Sequence, residues 1–519
     1  MFFPALALVL LASIEPGIGR VHYPVSTSNA EAQRYFDQGM AYLYGFNHEA
    51  AVKSFQEAGR LDSSLAMADW GVALALGPNI NLDVDPDREK QAYAAVQSAL
   101  KKQASPREHD MIAVLATRYS NDPGADLKKL AADYSRAMGE LSKKYPDDLD
   151  LTTLYAESMM DLRPWKFWSH EGQPAPQTED IVAVLESVIK RNPTHLGANH
   201  YYIHAVEASP HPERALKSAD RLRTLAPASG HLVHMPAHIY QRTGNYTGAA
   251  TANEKAADSD REFIKKNAAG GSMYAMMYYN HNLQFGSASH SMQGNFARAK
   301  KMADEFGGNA AAMAKDLPPL EGFATTPMLV LVRFGKWTDV VRTPAVTTGP
   351  LSSTLSHFAR GVAFARLGDI PTAECEQQEF QKSRTALTDD PGFFQNSPKA
   401  IAKVADGILD GRIAEAKGDR AKAIRAYQRA VEVEDSLDYN EPADWFYPTR
   451  ETLGAALIRD GQYAEAEKVF REDLKRNPNN PRSLFGLAEA QKKQKKSAGK
   501  ATAEFKKYWM GGAVQIENL

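Results

Sequence analysis

Residues Leu453 to Pro481 read LGAALIRDGQYAEAEKVFREDLKRNPNNP. Apolar and small residues recur at three- and four-residue steps on both sides of Gly461, a pattern that predicts two amphipathic helices joined by a tight turn. Small Gly454 and Ala466 let the two antiparallel helices approach closely. Gly461 closes the short turn, Phe470 fills the gap to the next hairpin, and Pro478 ends the second helix. One such hairpin leaves an apolar face uncovered, so a stable fold needs a stack of them.

The spacing recurs. Gly411, Ala414, Gly418, Ala423, Tyr427 and Ala430 form a second copy, and Gly39, Tyr42, Ala51, Phe55 and Ala58 a third, in GMAYLYGFNHEAAVKSFQEAGRLD. Degenerate copies are anchored at Gly368 with Ala373, Gly335 with Trp337, Gly294 with Ala299, and Gly244 with Ala249. This spacing resembles the tetratricopeptide unit of about 34 residues, by whose period about nine hairpins are expected. Alanine-rich stretches of helical periodicity lie between the copies, without the sustained valine and isoleucine alternation that strands need. The expectation is an all-α, tetratricopeptide-like solenoid running as one superhelix over residues 20–519. Pro- and Gly-rich segments at 77–90, 163–180, 346–357 and 385–399 read as insertions, or alternatively as domain seams.

At 519 residues the chain exceeds what one core covers. It is 43% apolar and 24% charged, ordinary values for a globular protein. With 61 basic and 63 acidic residues and a formal charge of −2, it predicts no nucleic-acid partner. The lysines between Lys492 and Lys507 read as the solvated face of a last helix. The single cysteine, Cys375, excludes an internal disulfide and a zinc site built on paired thiolates, and its helical setting suggests a buried or idle thiol. The opening run MFFPALALVLLASIEPGIG, residues 1–19, resembles a secretory signal, although it lacks the usual basic residue before the apolar stretch. It implies a periplasmic or secreted protein. No other segment has the ~18 uninterrupted apolar residues of a membrane helix, so no integral membrane segment is expected once the signal is removed.

Histidines are unevenly spread. His195, His200, His204, His211, His231, His234, His238, His281 and His290 fall within one hundred residues, three of them in GHLVHMPAHIY, 230–240. In the tetratricopeptide unit the first helix lines a concave groove, chiefly through positions 2, 5, 9, 12 and 13. Aligned on Gly244 and Ala249, the resemblance puts His231, His234 and His238 at positions 2, 5 and 9. The preceding unit puts His200 at 5, His204 at 9 and Glu207 at 12. The following unit puts His281 at 2 and His290 at core-facing position 11. Residues four apart share a helix face, and such histidine pairs offer two ligands to one metal. The candidate metal ligands are therefore His200, His204, Glu207, His231, His234, His238 and His281. Imidazole with one carboxylate suits zinc, copper or iron alike. The competing role for a groove histidine is a polar contact to a bound peptide. His211 and His290 read as ordinary structural residues, and His195 is undecided. Pro236 either kinks its helix or starts it, and in the second case His231 and His234 fall in a loop. Glu157 and Asp161, four apart on the preceding helix, are either further carboxylates for the same site or exposed charges.

The stretches GANHYYIHAVEAS and GHLVHMPAHIYQRTGNYTGAATANEKA, with AMADWGVALALGPNIN upstream and LVRFGKWTDVV downstream, resemble a family of bacterial tetratricopeptide repeat proteins. That resemblance implies a fold and a dedicated central site, but no particular reaction. There is no Gly-rich phosphate loop, no Gly-x-Ser-x-Gly elbow and no His-Glu-x-x-His, and no catalytic residue is assigned. Three functions remain open: an exported scaffold whose histidine-lined groove binds a transition metal, an adaptor for a peptide or protein partner with neither metal nor catalysis, and a metalloenzyme.

Overall fold

The computed structural model describes residues 13–392 and 394–519. Among them the secondary structure is helical, apart from two isolated bridges, Asn79 with Leu82 and Trp168 with Pro174. The chain forms two compact units, one of residues up to Pro236 with Asp258–Ala275, the other of Ala237–Ala257 with Met276–Leu519. The connections at 77–90, 163–180, 346–357 and 385–399 lie inside these units.

In the first unit, α1 (Ala30–Tyr44) pairs with α2 (His48–Leu61), α3 (Ala66–Leu76) with α4 (Pro86–Ala99), and α5 (Pro106–Ala116) with α6 (Leu127–Lys144). There α7 (Leu149–Met160) pairs with α8 (Thr178–Arg191), and α9 (Leu196–Val206) with α10 (Leu216–Leu225), before the short α11 (Gly230–His234). Helices α12 (Pro236–Arg242) and α13 (Tyr246–Lys266) contain residues of both units. In the second unit, α14 (Asn280–Met292) pairs with α15 (Phe296–Met313), α16 (Thr326–Arg333) with α17 (Trp337–Arg342), and α18 (Pro350–Leu367) with α19 (Ile370–Ser383). The last pairs are α20 (Pro398–Ala416) with α21 (Arg420–Asp435), α22 (Thr449–Arg459) with α23 (Tyr463–Arg476), and α24 (Pro481–Lys493) with α25 (Gly499–Tyr508).

The hairpin chemistry is that expected from Leu453–Pro481. Gly461 turns the chain at φ +82°, a left-handed conformation that glycine adopts without Cβ strain, and Gly244, Gly294, Gly335, Gly368 and Gly418 do the same. A Cβ on Gly454 would lie 2.5 Å from the Phe470 ring, and one on Gly486 2.2 Å from it. Phe470 is thus wedged, fully buried, between glycines of α22 and α24. Phe55 sits likewise between Gly39 and Gly71. The pairs α3/α4, α5/α6 and α7/α8 lack the Gly/Ala spacing and were not legible as repeats. Their starts are fixed by caps instead: Asp85 before Pro86, the Ser105–Glu108 capping box, and Asp148.

Pro236 begins α12, and the break falls at Met235. His231 and His234 nevertheless lie on a helical turn, α11, rather than in a loop. Cys375 is on a helix but exposed, not buried. The lysines from 492 to 507 are solvated, on two helices separated by a turn rather than on one. Of the expected leader, residues 1–12 lie outside the described residues. The rest packs into the first unit: the Ala228 N–H donates to the Gly17 carbonyl (2.9 Å), the Glu15 N–H to Gln38 Oε1 (2.7 Å), and Ile18 is buried. Among the described residues no helix is long and apolar enough to cross a membrane.

Candidate metal centre

Helix α9 presents His200 and His204 one turn apart, and α11 brings His231 to them. Close approach makes this possible. A Cβ at Gly197 would lie 2.3 Å from the Tyr44 ring, so its absence lets the end of α1 come against α9. A Cβ at Gly230 would lie 1.9 Å from Asp260 Oδ1. Tyr274 then holds α11 in place: its hydroxyl accepts from the His231 N–H (3.0 Å) and donates to buried Asp260 (2.9 Å).

The hydrogen bonds fix two tautomers. His200 Nδ1 lies 2.6 Å from the Tyr44 carbonyl oxygen, which can only accept, so Nδ1 carries the proton. His204 Nδ1 lies 2.7 Å from Glu207 Oε1 and donates to that carboxylate. In the neutral form of each ring the lone pair is then on Nε2. His200 Nε2 is 3.1 Å from His231 Nε2, and one nitrogen from each of the three rings lies within 4.8 Å of the others. All three rings are buried, at 0 to 2% exposure, and Glu207 is at 1%. The histidines therefore converge as the repeat register implied, but they are enclosed rather than laid on an open groove.

Phe46 and Trp165 close them in. Phe46 stands one residue before the N-cap of α2, the place Gly461 holds before α23, and its φ is +55°. Its ring centre is 4.5 Å from that of His200, 5.4 Å from His231 and 5.9 Å from His204. Trp165, at φ +63°, meets His204 edge-on at 5.5 Å. A bulky residue in the left-handed region costs on the order of 1–3 kcal/mol and persists only where surrounding structure imposes it. Both of these strained aromatics touch the triad.

Neighbouring polar groups of the first unit are buried or half-buried. His48 meets Phe46 at 6.2 Å and Asn79 Nδ2 through Nε2 at 3.3 Å. Burial, and then the positive charge of Arg88, push its pKa down to about 3, so the ring is neutral. Arg118 Nη2 donates to Asp161 Oδ2 at 2.6 Å, with both side chains buried. Burial and the adjacent Asp161 hold the Glu157 carboxyl well above the usual range. Glu157 and Asp161 are therefore not exposed charges but a buried pair of carboxyl groups beside the Arg118 guanidinium.

The other candidates divide. His234 is buried and stacks on His231 at 5.9 Å. His238 and His281 belong to the second unit, 5.9 Å apart and both against Phe285, with His281 half-buried. His290 is saturated, with Nε2 3.0 Å from Glu254 and Nδ1 2.8 Å from the Gln293 amide. His195 caps α9 by accepting from the Ala198 N–H at 3.1 Å. His211 is exposed beside Glu213. A cavity of about 500 Å³ in the second unit, lined among others by Phe323, Leu329, Leu351 and Phe446, has no histidine in its wall. Phe46, Trp165 and His48 were missed in the sequence. The available signal was a phenylalanine where other hairpins carry their turn glycine.

No protein-family model matches the chain, and no curated protein matches it. Solved structures similar to it include the APC/C heterotetramer Cut9–Hcn1, with 15% identity over 91% of this chain and 72% of that one and a TM-score of 0.30. Human IFIT1, solved as a dimer with m7Gppp-AAAA, has 13% identity over 93% and 90% and a TM-score of 0.33. The TPR domain of P58(IPK) has 12% identity over 90% and 99% and a TM-score of 0.23. Likeness this low leaves the repeat assignment to the turn glycines and wedged aromatics of the chain itself. By those features the protein is an all-α, tetratricopeptide-like array of helical hairpins.

Proposed function

We propose that the protein is an exported helical-repeat scaffold whose first unit holds one transition-metal ion on Nε2 of His200, His204 and His231. One observation carries this reading. Two Nδ1 protons are committed to a carbonyl and a carboxylate, and an Nε2 lone pair is thereby aimed at another imidazole nitrogen 3.1 Å away. Metal-bound histidines are oriented by such an outer hydrogen bond to a carbonyl or carboxylate. Nitrogens ~2.0–2.1 Å from a tetrahedral ion stand ~3.3 Å from one another, close to the separation found. Three imidazoles without thiolate suit zinc, copper or iron. Glu207 acts by orienting His204 rather than as a ligand, and His234, His238 and His281 stand outside the proposed ligand set.

The competing account is a plain hydrogen bond from His231 Nε2–H to His200 Nε2, needing no ion. Elemental analysis of protein purified without an affinity tag separates the two. One equivalent of zinc, copper or iron per chain is expected, lost in His204→Ala and His231→Ala while the helical circular dichroism persists. A metal-free chain that takes up none of the three on dialysis refutes the proposal. The array of hairpins supports the further reading of a protein-interaction scaffold, and the apolar run at the amino terminus supports export.

A further inference from the structure

The second unit carries a groove of arginines already filled by a segment of the chain itself. Arg366 of α18, Arg412 of α20, Arg459 of α22 and Arg482 of α24 come from the first helices of four consecutive hairpins. They donate to main-chain oxygens of four consecutive residues: Arg459 Nη1 to Ile516 (2.9 Å), Arg366 Nη2 to Glu517, Arg482 Nη1 to Asn518 (3.2 Å) and Arg412 Nη2 to Leu519 (2.7 Å). Leu519 is 2% exposed within the apolar core, and Val514 and Ile516 pack against the same core, whereas Gln515, Glu517 and Asn518 are exposed. The segment is held by its carbonyls and aliphatic side chains, with its polar side chains outward. It resembles a bound peptide more than a packed element of the fold.

The groove holds more positive charge than the segment neutralises. Arg333 lies beside Arg482, whose Nη2 donates to the Arg333 carbonyl. The side-chain carboxylates paired with these five guanidiniums are Glu415, shared by Arg412 and Arg459, and Glu451, held by Arg333. The guanidiniums lie over rings instead: Arg366 over Trp337, Arg412 over Tyr427, Arg482 over Phe334 and Trp509. Burial and the adjacent Arg412 and Arg459 push Arg366 down to about 10, and burial with Arg333 pushes Arg482 down to about 9. The Nε donors of Arg366, Arg412 and Arg482 are buried and meet no protein acceptor. A ligand with more acceptors and more negative charge than this segment would use them.

We propose that this arginine groove is a peptide-binding site that residues 514–519 occupy as a tethered ligand, and that it accepts from a partner protein an acidic peptide with aliphatic anchors at the spacing of Ile516 and Leu519. Carbonyl contacts do not discriminate sequence, so selection falls to the Leu519 position and to charge. The segment competes from within the chain, and a partner binds by displacing it. This inference uses no residue of the proposed metal centre and stands or falls separately.

The test compares the full chain with a variant ending at Gly512, using a fluorescein-labelled synthetic peptide of sequence AVQIENL. The truncated variant is expected to bind the peptide saturably, and the full chain at least about tenfold more weakly. Arg412→Ala with Arg482→Ala in the truncated variant should abolish binding, and replacing the peptide's glutamate by lysine should weaken it. If truncation unfolds the chain, Leu519→Asp in the full chain serves instead, since it removes the anchor and keeps the segment. A folded variant of either kind that takes no peptide overturns the proposal, as does equal binding by the unaltered chain. So does a variant that dimerises and takes no peptide, which would assign the groove to a second copy of the chain.

Discussion

Phe46 holds the place before α2 that glycine holds in six later turns, and its ring covers the three imidazoles. The histidines themselves were legible, because the repeat register puts positions 5 and 9 of one helix and position 2 of the next on one surface. Their enclosure was not legible: the Tyr44 carbonyl that orients His200 lies 156 residues earlier in the chain. No local pattern announces such a contact. Glu207 was expected to face the site, and its carboxylate meets His204 Nδ1 there. Glu207→Gln keeps the shape while removing the charge. It is expected to weaken metal binding by 10- to 100-fold, as loss of an outer carboxylate does, with melting temperature little changed. Competition titration against a chelator of known affinity measures it, and unaltered affinity would remove Glu207 from the account.

Single elements were read best where glycine and aromatic spacing recurs. At Gly454 two effects oppose. Alanine in a helix interior is favoured over glycine by ~1 kcal/mol, but its Cβ would lie 2.5 Å from the Phe470 ring, which Gly486 blocks from the other side. Overpacking costs about 1–3 kcal/mol and wins, so Gly454→Ala should lower stability in urea unfolding. Gly308 of α15, exposed and with nothing within 4 Å of an added Cβ, is the control, where alanine should stabilise. Glu467 of α23 meets Lys496 (2.8 Å) and Gln494 (2.9 Å) of the turn after α24, and Arg471 (2.7 Å) of its own helix. The Lys496 and Arg471 hydrogen bonds lower its pKa from 4.5 to about 2. A depressed carboxylate pKa contributes stability that is present above pH 4.5 and lost as pH falls toward 2. Glu467→Gln should therefore show a smaller drop in melting temperature over that window than the parent chain; equal drops would show that the ion pairs contribute nothing.

At the scale of the molecule, the hairpin array was legible because one period repeats along the chain, whereas the two compact units were not. Their boundaries fall within helical stretches, in α12, in α13 and between Ala275 and Met276 just before α14. Ser13 to Gly19 make contacts in the first unit that removal of residues 1–19 would delete. Expressed with its amino terminus intact, the chain should be exported and cut no later than Ala12, which the mass of the mature protein tests; a terminus after Gly19 would contradict it. The proposed centre has its most direct test in crystals of the tag-free protein, with anomalous diffraction collected above and below the edge of the metal found by elemental analysis. The account predicts a single peak in the first unit, ~2.0–2.2 Å from Nε2 of His200, His204 and His231. The same three imidazoles in place, with no peak between them in crystals soaked in zinc, copper or iron, would contradict it.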